Sequence, residues 1–180
     1  MEVYDPKTDT WTTRADMPTP RSHMTVSALG GRIYAIGGGA RIVAGRSGEW
    51  LPLLEVYDTA TNRWVRAADL PTPRSVMSSS VVDGRIYVMG GALSRGSASS
   101  AEELMRTMRT LSVVEVYDPA SGLWTKGADL ATARGWFTTS VVNGRVYVVG
   151  GRSLAFDAGT LGGRTTFPGI EVYTPARSAP

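Results

Sequence analysis

Acid–base, nucleophilic and metal chemistry draw on residue types that this chain of 180 residues mostly lacks: it has one histidine, His23, and no cysteine. Without cysteine there is no thiolate nucleophile, no disulfide and no cysteine-ligated metal. No serine triad, phosphate-cradling Gly-x-x-x-x-Gly-Lys loop or dinucleotide fingerprint is present, because the Gly-Gly pairs end β-branched runs and do not open helices. No catalytic residue, metal ligand or cofactor is therefore assigned. One acid–base arrangement stays open, His23 acting with Glu49 or Asp157, although nothing in their spacing requires it.

Binding chemistry has better material. Arg21, Arg74 and Arg134 stand 53 and 60 residues apart, each preceded by Pro or Ala. Three such guanidiniums suggest an anion site. Because they recur in step with a repeat, a structural role on neighbouring loop carbonyls is the stronger expectation. The residues that follow them diverge: Ser22-His23, Ser75-Val76 and Gly135-Trp136. Divergence inside a repeated block implies side chains that packing does not dictate, which makes His23 and Trp136 candidates for recognition. The competing reading has Trp136 filling an apolar gap. Arg41, Arg46, Trp50, Arg95, Arg152, Phe156 and Arg164 lie in the most variable stretches and give them a cationic character suited to carboxylate or sulfate groups.

What positions these residues is a repeat. Glu-Val-Tyr recurs at Glu2, Glu55, Glu115 and Glu171, and Gly-Gly at Gly37-Gly38, Gly90-Gly91 and Gly150-Gly151. Each of the first three glutamates precedes the second glycine by 36 positions, whereas the following stretches differ, at 16, 23 and 19 residues. The blocks are thus 2–38, 55–91 and 115–151, with a partial one at 170–174 and variable loops at 39–54, 92–114 and 152–170. Within a block a tryptophan follows the tyrosine by seven positions (Trp11, Trp64, Trp124), across Asp-containing turn residues. Strands are expected at Met24–Leu29, Met77–Val82 and Phe137–Val142. Two-residue turns at Gly30-Gly31, Asp83-Gly84 and Asn143-Gly144 then lead into Arg-Ile-Tyr or Arg-Val-Tyr strands.

The Gly-Gly doublet, the later tyrosine and the tryptophan seven positions on closely resemble the kelch repeat, and the likeness covers essentially residues 2–174. It implies an all-β chain, a single segment over 1–180 forming about three four-stranded antiparallel blades of a β-propeller. With strands A to D labelled outward from the channel, residues 2–14 supply C and D, two complete blades follow, and the chain ends in A, B and C. The last unit is degenerate, with Thr174 in place of the aspartate and Pro180 where the tryptophan would fall. Three blades do not close a ring. Two arrangements follow: a segment of a longer kelch chain, or a homodimer in which each copy lends its C–D strands to the other's A–B to give six blades. The C strand at 170–174 would compete with a lent one, which favours the segment.

The resemblance also points to the face carrying the B–C and D–A connections as the one that grips partners, a protein or a glycan, without catalysis. The alternative it suggests is a carbohydrate-active propeller of the sialic-acid mutarotase kind. The copper-radical oxidases of similar repeat need a Cys–Tyr crosslink and two histidines, which this chain cannot supply. Within the second loop, Ser100-Ala101-Glu102-Glu103 reads as a capping box opening a short helix, with Leu104, Met108 and Leu111 on one face. Net charge is only +3 and the arginines are scattered, so no nucleic-acid partner is expected. No 18-residue apolar run exists, so no membrane span is expected. The acidic start, Met1 to Pro6, enters a repeat at once and does not read as a signal peptide.

Overall fold

A computed structural model describes residues 1–39, 50–94, 107–154 and 164–176. An N-terminal hairpin pairs β1 (Glu2–Asp5) with β2 (Thr10–Thr13). The first full sheet runs β3 (Thr25–Leu29), β4 (Arg32–Ile36), β5 (Leu54–Asp58) and β6 (Arg63–Arg66), in that spatial order. Small hairpins occupy the connections after the next two Gly-Gly pairs: β9 (Ala92–Ser94) with β10 (Met108–Thr110), and β15 (Arg152–Leu154) with β16 (Arg164–Thr166). The second sheet is β7 (Ser78–Val82), β8 (Arg85–Met89), β11 (Val114–Asp118) and β12 (Leu123–Lys126). The third has three strands, β13 (Thr138–Val142), β14 (Arg145–Val149) and β17 (Ile170–Tyr173). All pairings are antiparallel, so the sheets are consecutive blades of a partial propeller.

Local chemistry fixes the register. The three A–B turns hold both central residues at positive φ, 59° and 74° for Gly30-Gly31 and 48° and 72° for Asp83-Gly84, as a type I′ hairpin demands. At the C–D turns, Asp58 Oδ1 accepts from the amides of Thr61 (3.0 Å) and Ala60 (3.1 Å). Asp118 Oδ1 accepts from Ala120 (2.9 Å). These amides hold both carboxyls below the usual carboxylate range, Thr61's leading for Asp58 and Ala120's for Asp118.

The middle strands alternate between two cores. Ile86 and Val88 of β8 face the first sheet in a cluster with Ile36, Leu54, Leu70 and Tyr117. Tyr87 and Met89 face the third sheet with Val114, Val146, Val148 and Tyr173. A strand covered on both faces needs a continuous apolar run, which is why Arg-Ile-Tyr-Val-Met carries no polar alternation. Val82 is 4% exposed there, whereas its counterpart Val142 is 51% exposed, because no sheet among the described residues covers the far face of the third.

Around the channel the inner strands are joined by hydroxyls. Ser79 Oγ sits 2.8 Å from Thr25 Oγ1 and 2.7 Å from Ser27 Oγ. Thr139 Oγ1 lies between Ser78 Oγ and Ser80 Oγ, 2.8 Å from each. Small side chains let the sheets converge, and the second residue of β7 and of β13 reaches back to the sheet before it. Ser79→Ala is expected to destabilise by about 1–2 kcal/mol, read as a lower urea midpoint at unchanged m, since it leaves two largely buried hydroxyls short of a partner. Ser79→Thr, matching Thr139, should be near neutral.

Of the expected helix, Thr107 has helical backbone, and the helix does not extend to the residues after it. Met108 is not on a helical face but in β10 opposite Ser94, and Leu111 follows in irregular backbone. A three-pair ladder with β9 buries Met108 to 3% exposure, satisfying backbone and side chain together. The capping-box residues and Leu104 lie outside the described residues.

Candidate functional site

The repeated arginines are turned inward. Arg74 Nε donates to Gly90 O (2.8 Å), Nη2 to Val88 O (3.1 Å), and Nη1 to Thr72 O (3.0 Å) and to Glu115. Arg21 repeats the set with Gly37 O, Ala35 O, Thr19 O and Glu55. Both side chains are 0% exposed. Burial pulls the Arg74 guanidinium below its usual range, against the hydrogen bond and charge of Glu115. Arg134 is held less fully, on Gly150 O and Glu171, each at 3.0 Å, with a 3.5 Å contact to Thr132 O. Each arginine thus ties the D–A connection of its sheet to the ends of strands B and C, leaving no donor of Arg21 or Arg74 facing a ligand.

One residue later but one, the chain adopts an unusual backbone. His23, Val76 and Trp136 have φ of 56°, 50° and 54°, left-handed values that a β-branched valine and a bulky tryptophan rarely take. The geometry has a use: Val76 N donates to His23 O (3.0 Å), and Trp136 N to Val76 O (2.9 Å). A chain of main-chain hydrogen bonds therefore runs from sheet to sheet around the channel mouth. Because the bonds are all backbone, this pattern by itself asks for no particular side chain at the three positions.

The preceding residues bridge to the starts of the variable loops, Ser22 to Gly39, Ser75 to Ala92 and Gly135 to Arg152. The D–A residues and the B–C loop bases thus form one face. On it His23 is exposed, with Nδ1 2.9 Å from Ser22 Oγ. Trp136 is half-buried beneath the Arg152 guanidinium, 3.8 Å from its ring centroid. Trp50 donates from Nε1 to Ser94 Oγ (2.9 Å). Thr110 Oγ1 accepts from Leu154 N (3.1 Å), linking neighbouring loop hairpins. Trp50, Val76 and Trp136 pack on Ala92, Met108 and Leu154 as a separate apolar cluster under the loops.

Structure thus brings together His23, Trp136, Arg152 and Trp50 at one face, and separates Arg21, Arg74 and Arg134 from it. Arg41, Arg46, Arg95, Phe156, Glu49 and Asp157, and the Arg164 side chain, lie outside what is described. Sequence reasoning placed Val76 among the diverging residues without making it a candidate, and missed Thr110 as a loop tie. Its divergence and its shared offset from the repeated arginine were the signals for Val76.

The Kelch-repeats domain model described as KLHDC2/KLHL20/DRC7 matches residues 1–151. Kelch-like protein 34 of Homo sapiens is 33% identical over 150 residues, 83% of this chain and 21% of that protein. Alpha-scruin of Limulus polyphemus is 28% identical over 171 residues, 95% of this chain and 17% of that protein. The chain therefore spans about a fifth of the length of these relatives. The solved structure of YjhT superposes with a TM-score of 0.58 at 24% identity, over 78% of this chain and 37% of that one, a likeness of fold.

Proposed function

The chain belongs to the kelch-repeat family, and from that premise we propose that it is a non-catalytic binding module that grips a protein partner through the face carrying the B–C and D–A connections. The observation that carries this is the arc at His23, Val76 and Trp136, where one backbone hydrogen-bond pattern displays three unlike side chains. A rigid, repeated main chain that carries an exposed His23 beside Val76 and Trp136, both seated on the apolar cluster under the loops, suits recognition. Trp136 under Arg152 supplies an aromatic–guanidinium pair of the type that dominates protein interfaces. Kelch-like proteins and scruins among its relatives support a scaffold role in general. A glycan partner belongs to the same reading but has less behind it. For sugar epimerisation, the only described group beside His23 Nδ1 is the Ser22 hydroxyl.

The test is to capture partners on the immobilised chain from a lysate, with a glycan array in parallel, and to measure each hit against variants. His23→Asn, which keeps a residue tolerant of left-handed backbone, combined with Trp136→Phe should weaken binding by roughly tenfold or more. Asn143→Gly, in an A–B turn on the opposite face, should leave it unchanged. Equal loss in both variants, or loss in Asn143→Gly alone, overturns the assignment of the face.

A further inference from the structure

The chain has two side-chain amides, Asn62 and Asn143, and no glutamine. Their surroundings differ. Asn62 Oδ1 accepts from the Ala15 amide (2.9 Å) and from the Tyr57 hydroxyl (2.8 Å), and Arg63, which follows it, is held in β6 opposite Asp58. Asn143 is exposed in the turn between β13 and β14, and its carboxamide makes no hydrogen bond among the described residues. Gly144 follows it, and a Cβ added there would meet nothing within 4 Å. The exposure belongs to the turn itself, because Asp83-Gly84, the same turn in the middle sheet, is exposed as well.

We propose that Asn143 is a site of spontaneous deamidation in the folded chain, converted to aspartate through a cyclic imide. The Gly144 nitrogen attacks Asn143 Cγ, and a C–N bond closes a five-membered ring. The carboxamide nitrogen leaves as ammonia, taking up the Gly144 amide proton. Water then opens the ring at the side-chain carbonyl to leave aspartate, or at the main-chain carbonyl to leave isoaspartate. The overall change consumes one water, releases one ammonia and takes one unit from the net charge of +3. The site lies on the face of the A–B turns and is independent of the loop-face reading.

The turn geometry gives the reaction a route that keeps the hairpin intact. Ring closure needs the Gly144 nitrogen eclipsed with Asn143 Cβ about the Cα–C bond, the arrangement of a ψ of about −120° at residue 143. The observed turn has φ of 51° at Asn143 and 72° at Gly144, the type I′ pattern, whose ψ lies elsewhere. A type II′ turn keeps the positive φ at its first central residue and has a ψ of about −120° there. Passing between them is a flip of the 143–144 peptide, which glycine at the second position permits. Both types close a two-residue hairpin, so the pairing of Val142 with Arg145 survives the flip. That ψ with a positive φ is strained for asparagine, which makes the reactive turn a minor state of the native hairpin. The aspartate product fits the resting turn, since Asp83 holds the same position with φ of 48° before a glycine at 72°. Isoaspartate carries the main chain through an extra atom and would break the register of Val142 opposite Arg145.

The test is to age the full chain in mildly alkaline buffer and follow its peptides by mass, with released ammonia measured in parallel. The amide should be lost at Asn143 at least about tenfold faster than at Asn62, where no glycine follows. Guanidinium chloride below the unfolding transition should leave the rate unchanged, because the reaction starts from the folded turn. Asn143→Asp should unfold at the same temperature as the parent chain. Equal survival of the two amides overturns the proposal. So does a rate that climbs with denaturant, which would place the chemistry in the unfolded chain, or an Asn143→Asp variant that melts clearly lower.

Discussion

Replacing Arg74 with alanine should cost about 3–5 kcal/mol, a loss among side-chain truncations matched only at Arg21, which has the same set of acceptors. The guanidinium is wholly buried and serves four acceptors: the carbonyls of Thr72, Val88 and Gly90, and the carboxylate of Glu115. Its removal strands a glutamate that is itself only 8% exposed, and breaking one side of a buried pair costs that much. A domain of this size has roughly 5–15 kcal/mol in total, so the variant should be partly unfolded at ambient temperature. Two controls separate the mechanism from general truncation. Arg134→Ala should cost clearly less, because Glu171 stays accessible to water. Arg66→Ala, which loses an exposed pair with Asp69, should cost under about 1 kcal/mol. Arg74→Met with Glu115→Leu should recover much of the loss, since neither partner is then left charged and alone. Equal urea midpoints for the Arg74 and Arg66 variants would show that the buried pair does not hold the blade.

The blade architecture was legible because its determinants are local and repeated. Glu to Gly-Gly keeps one length, and the Gly30-Gly31, Asp83-Gly84 and Asn143-Gly144 turns admit one hairpin type. The structural role of Arg21 and Arg74 was legible for the same reason: a residue locked to the repeat is serving the repeat. What could not be read is decided by tertiary contacts. No residue-type preference would place Val76 or Trp136 in left-handed backbone; they are there because His23 O and Val76 O must meet donors across a sheet boundary. Met108 carries a helical pattern yet lies in a strand, since Ala92–Ser94 offers a ladder and an apolar seat in one arrangement. Trp64 and Trp124 were visible as repeat markers. Their acceptors, Ala15 and Ala68, lie in the connection before each sheet and leave no mark on residue type.

Gly91→Ala should be nearly as damaging as loss of Arg74, for a reason confined to backbone. Gly91 has a φ of 101°, which alanine tolerates poorly. A Cβ there would stand 2.7 Å from Ser75 O and 3.0 Å from Met77 Cβ, neither of which is the yielding end of a flexible chain. Strain and overpacking together point to about 3–5 kcal/mol. The site resists relaxation because Gly91 N donates to Arg134 O in the next sheet (2.8 Å), while Ala92 and Ser75 exchange two hydrogen bonds of 2.8 and 3.0 Å. Moving the glycine therefore disturbs both the contact between sheets and the base of the loop face. Gly84→Ala provides the comparison: its φ is 72°, but nothing lies within 4 Å of an added Cβ, so the cost should be that of left-handed alanine alone, about 1 kcal/mol. If thermal unfolding ranked the two alanine variants equally, conformational strain alone would explain the doublet. A wide gap would assign the second glycine to the close approach of neighbouring chain segments, the same crowding that sets the arc at His23, Val76 and Trp136.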